Sequence, residues 1–269
     1  TELGTAYESG GNDLRQKTFN DGKNREYTLQ TDYTHPFSEK LKLETGAKAV
    51  FRKINSDSRY SIYDYNLSEF VNDAQHSNLL LYDQDVYAGY GSLTVNFNAA
   101  YSMVAGLRYE HTSIAGDLKQ GETTFSNQYD NFVPSLIVSR KFKNYSTLKI
   151  SYVRRIQRPS LEYINPFQDI SDPLNISYGN PDLNPELSDQ YDLGYTAFLK
   201  GSVLNSSIYY RRTKDVIERY LNIDAEGVAA TSFQNLGLSE NYGMNVFGSF
   251  PITKFWTLRS SIDLNYLNI

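Results

Sequence analysis

Three histidines, His35, His76 and His111, are the first place to look for acid–base chemistry or metal binding in a chain of 269 residues without cysteine. They share no motif and match no metal-ligand spacing, so they read as solvated or structural. There is no G-x-S-x-G nucleophile turn and no phosphate-cradling glycine loop. Gly89-Tyr90-Gly91 is too short for a nucleotide fingerprint, and glycine inside a strand more often marks close packing. No catalytic residue, metal site or cofactor is assigned, and no enzyme activity is expected.

Ligand binding has better candidates. Arg154, Arg155 and Arg158 lie where a strand becomes a loop. They can attract an anion, or serve as wall charges paired with carboxylates on neighbouring strands. Tyr60, Tyr63 and Tyr65 form an aromatic-polar cluster. Rigid tyrosine surfaces bind varied ligands at modest entropic cost, although such a cluster can also pack on itself. Asp169, Asp172 and Asp182 crowd one loop with Asn175 and Asn180. Their oxygens suit calcium, but the spacing matches no known calcium loop and Asp and Asn are also turn formers. The ligand-binding candidates at loops and rim are therefore Tyr60, Tyr63, Tyr65, Arg155, Arg158, Tyr163, Tyr178 and Asn180.

The elements that must position these residues read as strands. Leu41, Leu43, Thr45, Ala47, Ala49 and Phe51 alternate with Lys42, Glu44, Gly46, Lys48, Val50 and Arg52. Tyr27 to Thr34, Met103 to Glu110 and Trp256 to Tyr266 show the same period of two, the strand signal. One face is apolar with aromatic ends and the other is polar. The pattern places strands near 1–8, 25–35, 41–53, 84–96, 101–113, 129–141, 146–157, 187–199, 203–219, 235–250 and 255–267. Ten residues at about 3.3 Å each, tilted near 45°, rise roughly 23 Å, close to the apolar band of an outer-membrane barrel. The gaps alternate. Ser9–Asn24, Ile54–Asp83, Ile114–Gln128, Arg158–Glu186 and Tyr220–Gln234 are long; Pro36–Lys40, Phe97–Ala100, Phe142–Tyr145, Lys200–Ser202 and Pro251–Lys254 are short. Short turns at the periplasmic end and long loops outside are the bacterial outer-membrane pattern. The segment 66–74 is the one place a short helical turn is expected, capped by Ser68.

Composition agrees. Twenty-three Tyr and 14 Phe suit an interface, where the ring lies in an apolar layer and a tyrosine hydroxyl in water. A net charge of −5 leaves no footprint for nucleic acid. No apolar run reaches the roughly 18 to 20 residues of a membrane helix, and the first residues have no signal-peptide pattern. The last residues are still in strand pattern, and both ends are expected to be cuts through a larger protein.

The segment Tyr152 to Glu186 interrupts the alternation. It holds Pro159, Pro166, Pro173, Pro181 and Pro185, five of the chain's eight prolines, each fixing φ and removing a backbone donor. Here RIQRPS (155–160), NPF (165–167), DPLNISYGNPDLNPE (172–186) and YDLGY (191–195) resemble the barrel of TonB-dependent outer-membrane receptors, in the style of the outer-membrane β-barrel family of Bacteroidetes. GNPDLNPE is the most specific piece. GLRYE (106–110), FVPSL (132–136), QNLG (234–237) and NYGM (241–244) fit the same family in order.

The resemblance implies an antiparallel up-and-down transmembrane β-barrel of 22 strands, of which the roughly eleven here are about half. It implies outer-membrane lipid around the wall and a plug domain of the same full-length protein inside it. It also implies TonB acting through the plug and an extracellular ligand: a siderophore, glycan or peptide. The alternative is a barrel that does no transport and acts as a surface adhesin or structural protein. Asn66, Asn144, Asn175 and Asn205 match the N-glycosylation pattern by chance.

Overall fold

A computed structural model describes residues 15–120, 123–168, 175–199, 201–223 and 229–268. They form ten long strands: β1 (Gln16–Ser38), β2 (Leu41–Asp64), β3 (Glu69–Asn96), β4 (Tyr101–Leu118), β5 (Thr123–Lys141), β6 (Thr147–Gln157), β8 (Glu186–Leu199), β9 (Ser202–Ile223), β10 (Ala229–Pro251) and β11 (Thr257–Asn268). Between β6 and β8 lie a single helical turn, α1 (Leu161–Ile164), and a short strand, β7 (Asn175–Ser177). The long strands pair antiparallel with their sequence neighbours in one open sheet, and β7 adds to β10 in parallel. Every long strand in the expected order is present, except that the strand expected at 1–8 lies outside the described residues.

The alternation sorts the side chains as read. On β4, Met103, Ala105, Leu107 and Tyr109 share the apolar face with Val138, Leu136, Pro134 and Phe132 of β5, their direct partners. On β2, Leu43, Ala47 and Ala49 share it with Leu93, Gly89 and Tyr87 of β3. Most of its large side chains are exposed, among them Leu107, Phe132, Ile150 and Ile208. Such a continuous apolar face needs lipid, since patches on soluble monomers rarely exceed a few hundred Å².

An aromatic belt closes the apolar band on the long-loop side. Every long strand supplies one ring: Tyr27, Phe51, Tyr87, Tyr109, Phe132, Tyr152, Tyr191, Tyr210, Tyr242 and Tyr266. From Tyr152 to Tyr266 the five tyrosines are direct cross-strand partners. Ring centroids are 5.0 Å apart for Tyr152–Tyr191 and 4.8 Å for Tyr210–Tyr242. Earlier in the sheet the belt steps toward the short turns. Tyr87 pairs with Ala49 rather than Phe51, Tyr109 with Gly89 rather than Tyr87, and Tyr152 with Leu136 rather than Phe132. These steps follow a plane across tilted, staggered strands, whereas the row from Tyr152 to Tyr266 follows the register itself.

On the polar face, glycines sit opposite rings. A Cβ at Gly46 would meet the Tyr90 side chain at 2.6 Å, and one at Gly116 or Gly243 would enter the ring of Phe125 or Tyr209. These are cross-strand pairs in which the ring covers the bare backbone of its partner.

Two expectations are corrected beyond the belt. The gaps read as long loops at 54–83, 114–128 and 220–234 are mostly strand, because β2–β3, β4–β5 and β9–β10 run on as hairpins. Alternation fades there because lipid no longer covers the outer face and part of the inner face packs under a returning segment, while the backbone ladder continues. No helix forms at 66–74. Asp64 Oδ1 accepts the Asn66 and Leu67 N–H groups (2.7 and 3.2 Å), closing a hairpin turn, and Ser68 takes φ 55 at its end. Glu69 then opens β3, so His76 lies in a strand rather than a loop, and His111 lies inside β4 rather than at its end.

Candidate functional site

The proline-rich segment after β6 folds back over the polar face, on the long-loop side of the belt. Arg158 anchors its start. The guanidinium pairs with Glu110 and donates from Nε and Nη2 to Thr112 Oγ1, both at 3.2 Å. Glu110 also takes Arg108, and Glu110 and Thr112 are buried, at 6% and 0% exposure. Pro159 cannot continue the ladder, and α1 follows. Ile164 of α1 and Leu183 are fully buried against Leu80 and Tyr82 of β3, Ile114 of β4, Tyr129 of β5 and Phe233 of β10. This is the hydrophobic core of the described residues, at the mouth rather than between sheets.

GNPDLNPE is the second anchor. At Gly179 a Cβ would lie 2.6 Å from the backbone N and O of Asn165, so the chains approach too closely for any side chain. Asn180 receives the Asp182 N–H on Oδ1 (3.0 Å) and donates from Nδ2 to the Phe233 carbonyl (2.9 Å) and from its backbone to Tyr163 O (2.7 Å). Asn127 of β5 donates to the Pro181 and Leu183 carbonyls at 3.3 and 3.0 Å. Asn184 and Asn235 exchange two bonds, at 2.9 and 3.0 Å. Glu186 Oε1 accepts the Ile217 N–H at 2.9 Å, beside a register shift between β9 and β10. With β7 laid along β10, the segment bridges the polar face from β4 and β5 to β9 and β10.

The candidate residues therefore divide. Arg158 is a wall charge with two partners, Asn180 is a structural knot, and Tyr163 packs at a tilt on Phe233, with ring centroids 4.5 Å apart. The Tyr178 backbone donates to Thr231 O (3.0 Å), which leaves its half-buried ring beside β10. Arg155 is exposed on the polar face. Tyr60, Tyr63 and Tyr65 sit far out on the β2–β3 hairpin. Tyr63 packs on Tyr65 and Phe70 at 5.0 and 5.2 Å, and Arg15 covers its ring at 4.7 Å. Tyr60 packs on His76 at 5.1 Å. His76 Nδ1 lies 2.6 Å from Asp73 Oδ2. Burial opposes the Asp73 charge, but bonds from His76 and the Gln75 backbone outweigh it and hold its pKa below the ordinary value. The structure thus brings Arg158, Tyr163, Tyr178 and Asn180 together around one segment, and leaves the hairpin tyrosines as a separate group.

Arg154 points to the other face, where it pairs with Asp189 at 2.8 Å. Asp169 and Asp172 lie outside the described residues, and no group of three His, Cys, Asp or Glu able to hold a metal occurs among the described ones. Of the partners, Glu110 and Asn235 lie in the motifs GLRYE and QNLG but were given no role there, and Thr112 and Asn127 were not singled out by the sequence. Each looks like an ordinary wall residue, and only the return of a distant segment gives it a role.

The family model of the "Outer membrane protein beta-barrel family" matches residues 3–269. The chain belongs to that family. It therefore resides in the outer membrane, crossing it by strands; no helix among the described residues is long and apolar enough to do so. Among solved structures it resembles the copper transporter OprC, with a TM-score of 0.72 at 16% identity over 95% of this chain and 39% of that one. The ferric citrate transporter FecA, unliganded, gives 0.67 at 10% identity over 94% and 37%. The ferric yersiniabactin uptake receptor FyuA from Yersinia pestis gives 0.63 at 13% over 96% and 37%. These are barrels of TonB-dependent receptors, and the chain spans less than two fifths of the length of each. At such identities the likeness is one of fold. None of the curated protein sequences matches the chain.

Proposed function

We propose that these residues form part of the barrel of a receptor that takes up a scarce ligand across the outer membrane. The remaining strands and a plug domain would come from elsewhere in a longer protein, and TonB would act through that plug. The observation that carries this reading is the folded-back segment. It spans the polar face at the mouth, tied by Arg158 at one end and by Asn180, Asn184 and Glu186 at the other, as a lumen with a fixed constriction requires. The outer edges of β1 and β11, unpaired among the described residues, support the need for further strands, since lipid leaves no backbone group unsatisfied. The resembling proteins are named for transport or uptake of copper, ferric citrate and ferric yersiniabactin, which favours transport over catalysis here. Arg155, Tyr178 and the hairpin tyrosines are the proposed ligand contacts, and the ligand class is a siderophore, glycan or peptide.

The test is growth on single iron or nutrient sources with the gene present, deleted, and present in a strain lacking TonB. Transport predicts a source on which only the first strain grows. A surface adhesin or structural barrel would leave all three growing alike on every source.

A further inference from the structure

One seam in the wall stands open. β5 runs from Thr123 to Lys141, but its ladder to β6 stops at the pair Ser135–Val153. Pro134 has no N–H with which to extend it. Arg158 then draws the chain after β6 inward across β5, to Glu110 and Thr112 of β4. From Thr124 to Val133, β5 is therefore paired with β4 alone. Among the described residues no backbone bond meets its other side. Ten residues at about 3.3 Å each make an edge of roughly 33 Å. Natural sheets blunt such edges with Lys, Pro, bulges or a covering segment. This edge has no Lys or Pro, and its register with β4 is continuous. Its one charge, Asp130, is held by Tyr109 and His111 of β4 at 2.6 and 2.9 Å. The folded-back segment lies over the inward side chains Asn127 and Tyr129, and leaves Ser126, Gln128 and Phe132 exposed.

A cation marks the foot of this edge. Continuing the β5–β6 register past Ser135–Val153 brings Arg155 opposite Val133. Arg154 and Arg158 are each paired with a carboxylate. Arg155 is exposed and has neither a hydrogen bond nor an ion pair among the described residues. We infer that an extended peptide docks on Thr124–Val133 as an added strand, with an acidic end on Arg155. A row of free N–H and C=O groups recognises a chain through its backbone, and alternate side chains of that chain face open water. The guanidinium adds a charge-assisted bond to a carboxylate at one end. The inference rests on the receptor reading and selects the peptide among its three ligand classes.

The test uses the full-length protein purified in detergent. The probe is a fluorescent peptide of alternating Thr and Val, as long as the edge, ending in Asp with a free carboxylate. Its companions are the same peptide N-methylated at alternate residues, and one ending in an Asn amide. Binding is read by fluorescence anisotropy and located by hydrogen exchange. The expected result is saturable binding that slows exchange in Thr124–Val133 by about fivefold or more and leaves β2 unchanged. N-methylation, which removes the backbone donors, should weaken binding by about tenfold or more. Arg155→Gln should weaken the acidic peptide by about fivefold or more and the amide not at all. Arg59→Gln on the distant hairpin should weaken neither. No binding, equal binding of the N-methylated peptide, or slowed exchange only elsewhere would overturn the docked strand. An edge already protected before peptide is added would overturn it too, by showing a segment of the same protein seated there. Equal binding of the acidic peptide by Arg155→Gln would overturn the role of the acidic end. These readouts need neither TonB nor growth, so their failure leaves the receptor reading standing, and that reading falls only by the growth test.

Discussion

The tyrosine belt divides the wall into two regions built on different physics. On the short-turn side, strands such as β4 from Tyr101 to Tyr109 and β9 from Ser202 to Tyr210 face lipid on one side and a polar interior on the other. Each residue is assigned a face by a period of two, and one shift of register would put every side chain wrong. On the long-loop side the same strands run on into water. There the structure is specified by individual contacts: an arginine on a buried glutamate, a glycine under a crossing backbone, asparagines closing turns. The first region tolerates residues of the right polarity, except where a glycine lies under a ring as at Gly46. The second tolerates few changes, but only at its knots.

The largest contrast is expected within the first region, between adjacent residues at one depth. Val246 pairs with Ile262 on the lipid face midway along the band, and Asn245 beside it faces inward. Val246→Arg should cost about 2 to 4 kcal/mol, the depth-dependent penalty for a charge at the bilayer midplane. Asn245→Arg should stay within about 0.5 kcal/mol. Urea unfolding of the full-length barrel in lipid vesicles measures both, and equal losses would mean that the faces are misassigned.

The knots come next. Arg158→Gln removes one charged partner from buried Glu110, which keeps Arg108, so a loss of about 1.5 to 3 kcal/mol is expected. Gly179→Ala forces backbone apart at Asn165, at about 1 to 3 kcal/mol. Both should raise hydrogen exchange in 158–168 and 175–186 and leave the band below the belt protected. Protection unchanged in the segment would show that it is held by its prolines alone. Smallest of all, Lys42→Ala removes a pair with Glu44 at 3.0 Å in which both side chains are more than two fifths exposed. Its effect should fall below about 0.5 kcal/mol.

The same division explains what the sequence revealed. Leu43, Leu107 and Leu264 advertise their face because lipid on one side demands alternation, so the lower wall was legible strand by strand. The hairpin strands from Ile54 to Asp83 were not, since Asp57, Ser58 and Arg59 face water on either side and leave no period to read. At the mouth, GNPDLNPE stood out as specific, yet its role came only with Asn127, Phe233 and Asn235, which lie about 50 residues away in the chain. A pattern can mark a segment as special without saying what it touches. Arg154 and Arg158 illustrate this further, as neighbours of like chemistry that bind carboxylates on opposite faces of the wall.

The central claim is that short turns and long hairpins lie on opposite sides of a membrane. The chain has no cysteine, so single cysteines report cleanly in any full-length protein otherwise free of them. Asn66→Cys and Thr123→Cys, both at the long end, should react with a membrane-impermeant maleimide on intact cells. Ser38→Cys and Asn144→Cys, at short turns, should react only after the outer membrane is opened. Labelling of Ser38→Cys on intact cells, at the rate seen for Asn66→Cys, would contradict the topology and with it the receptor-barrel account.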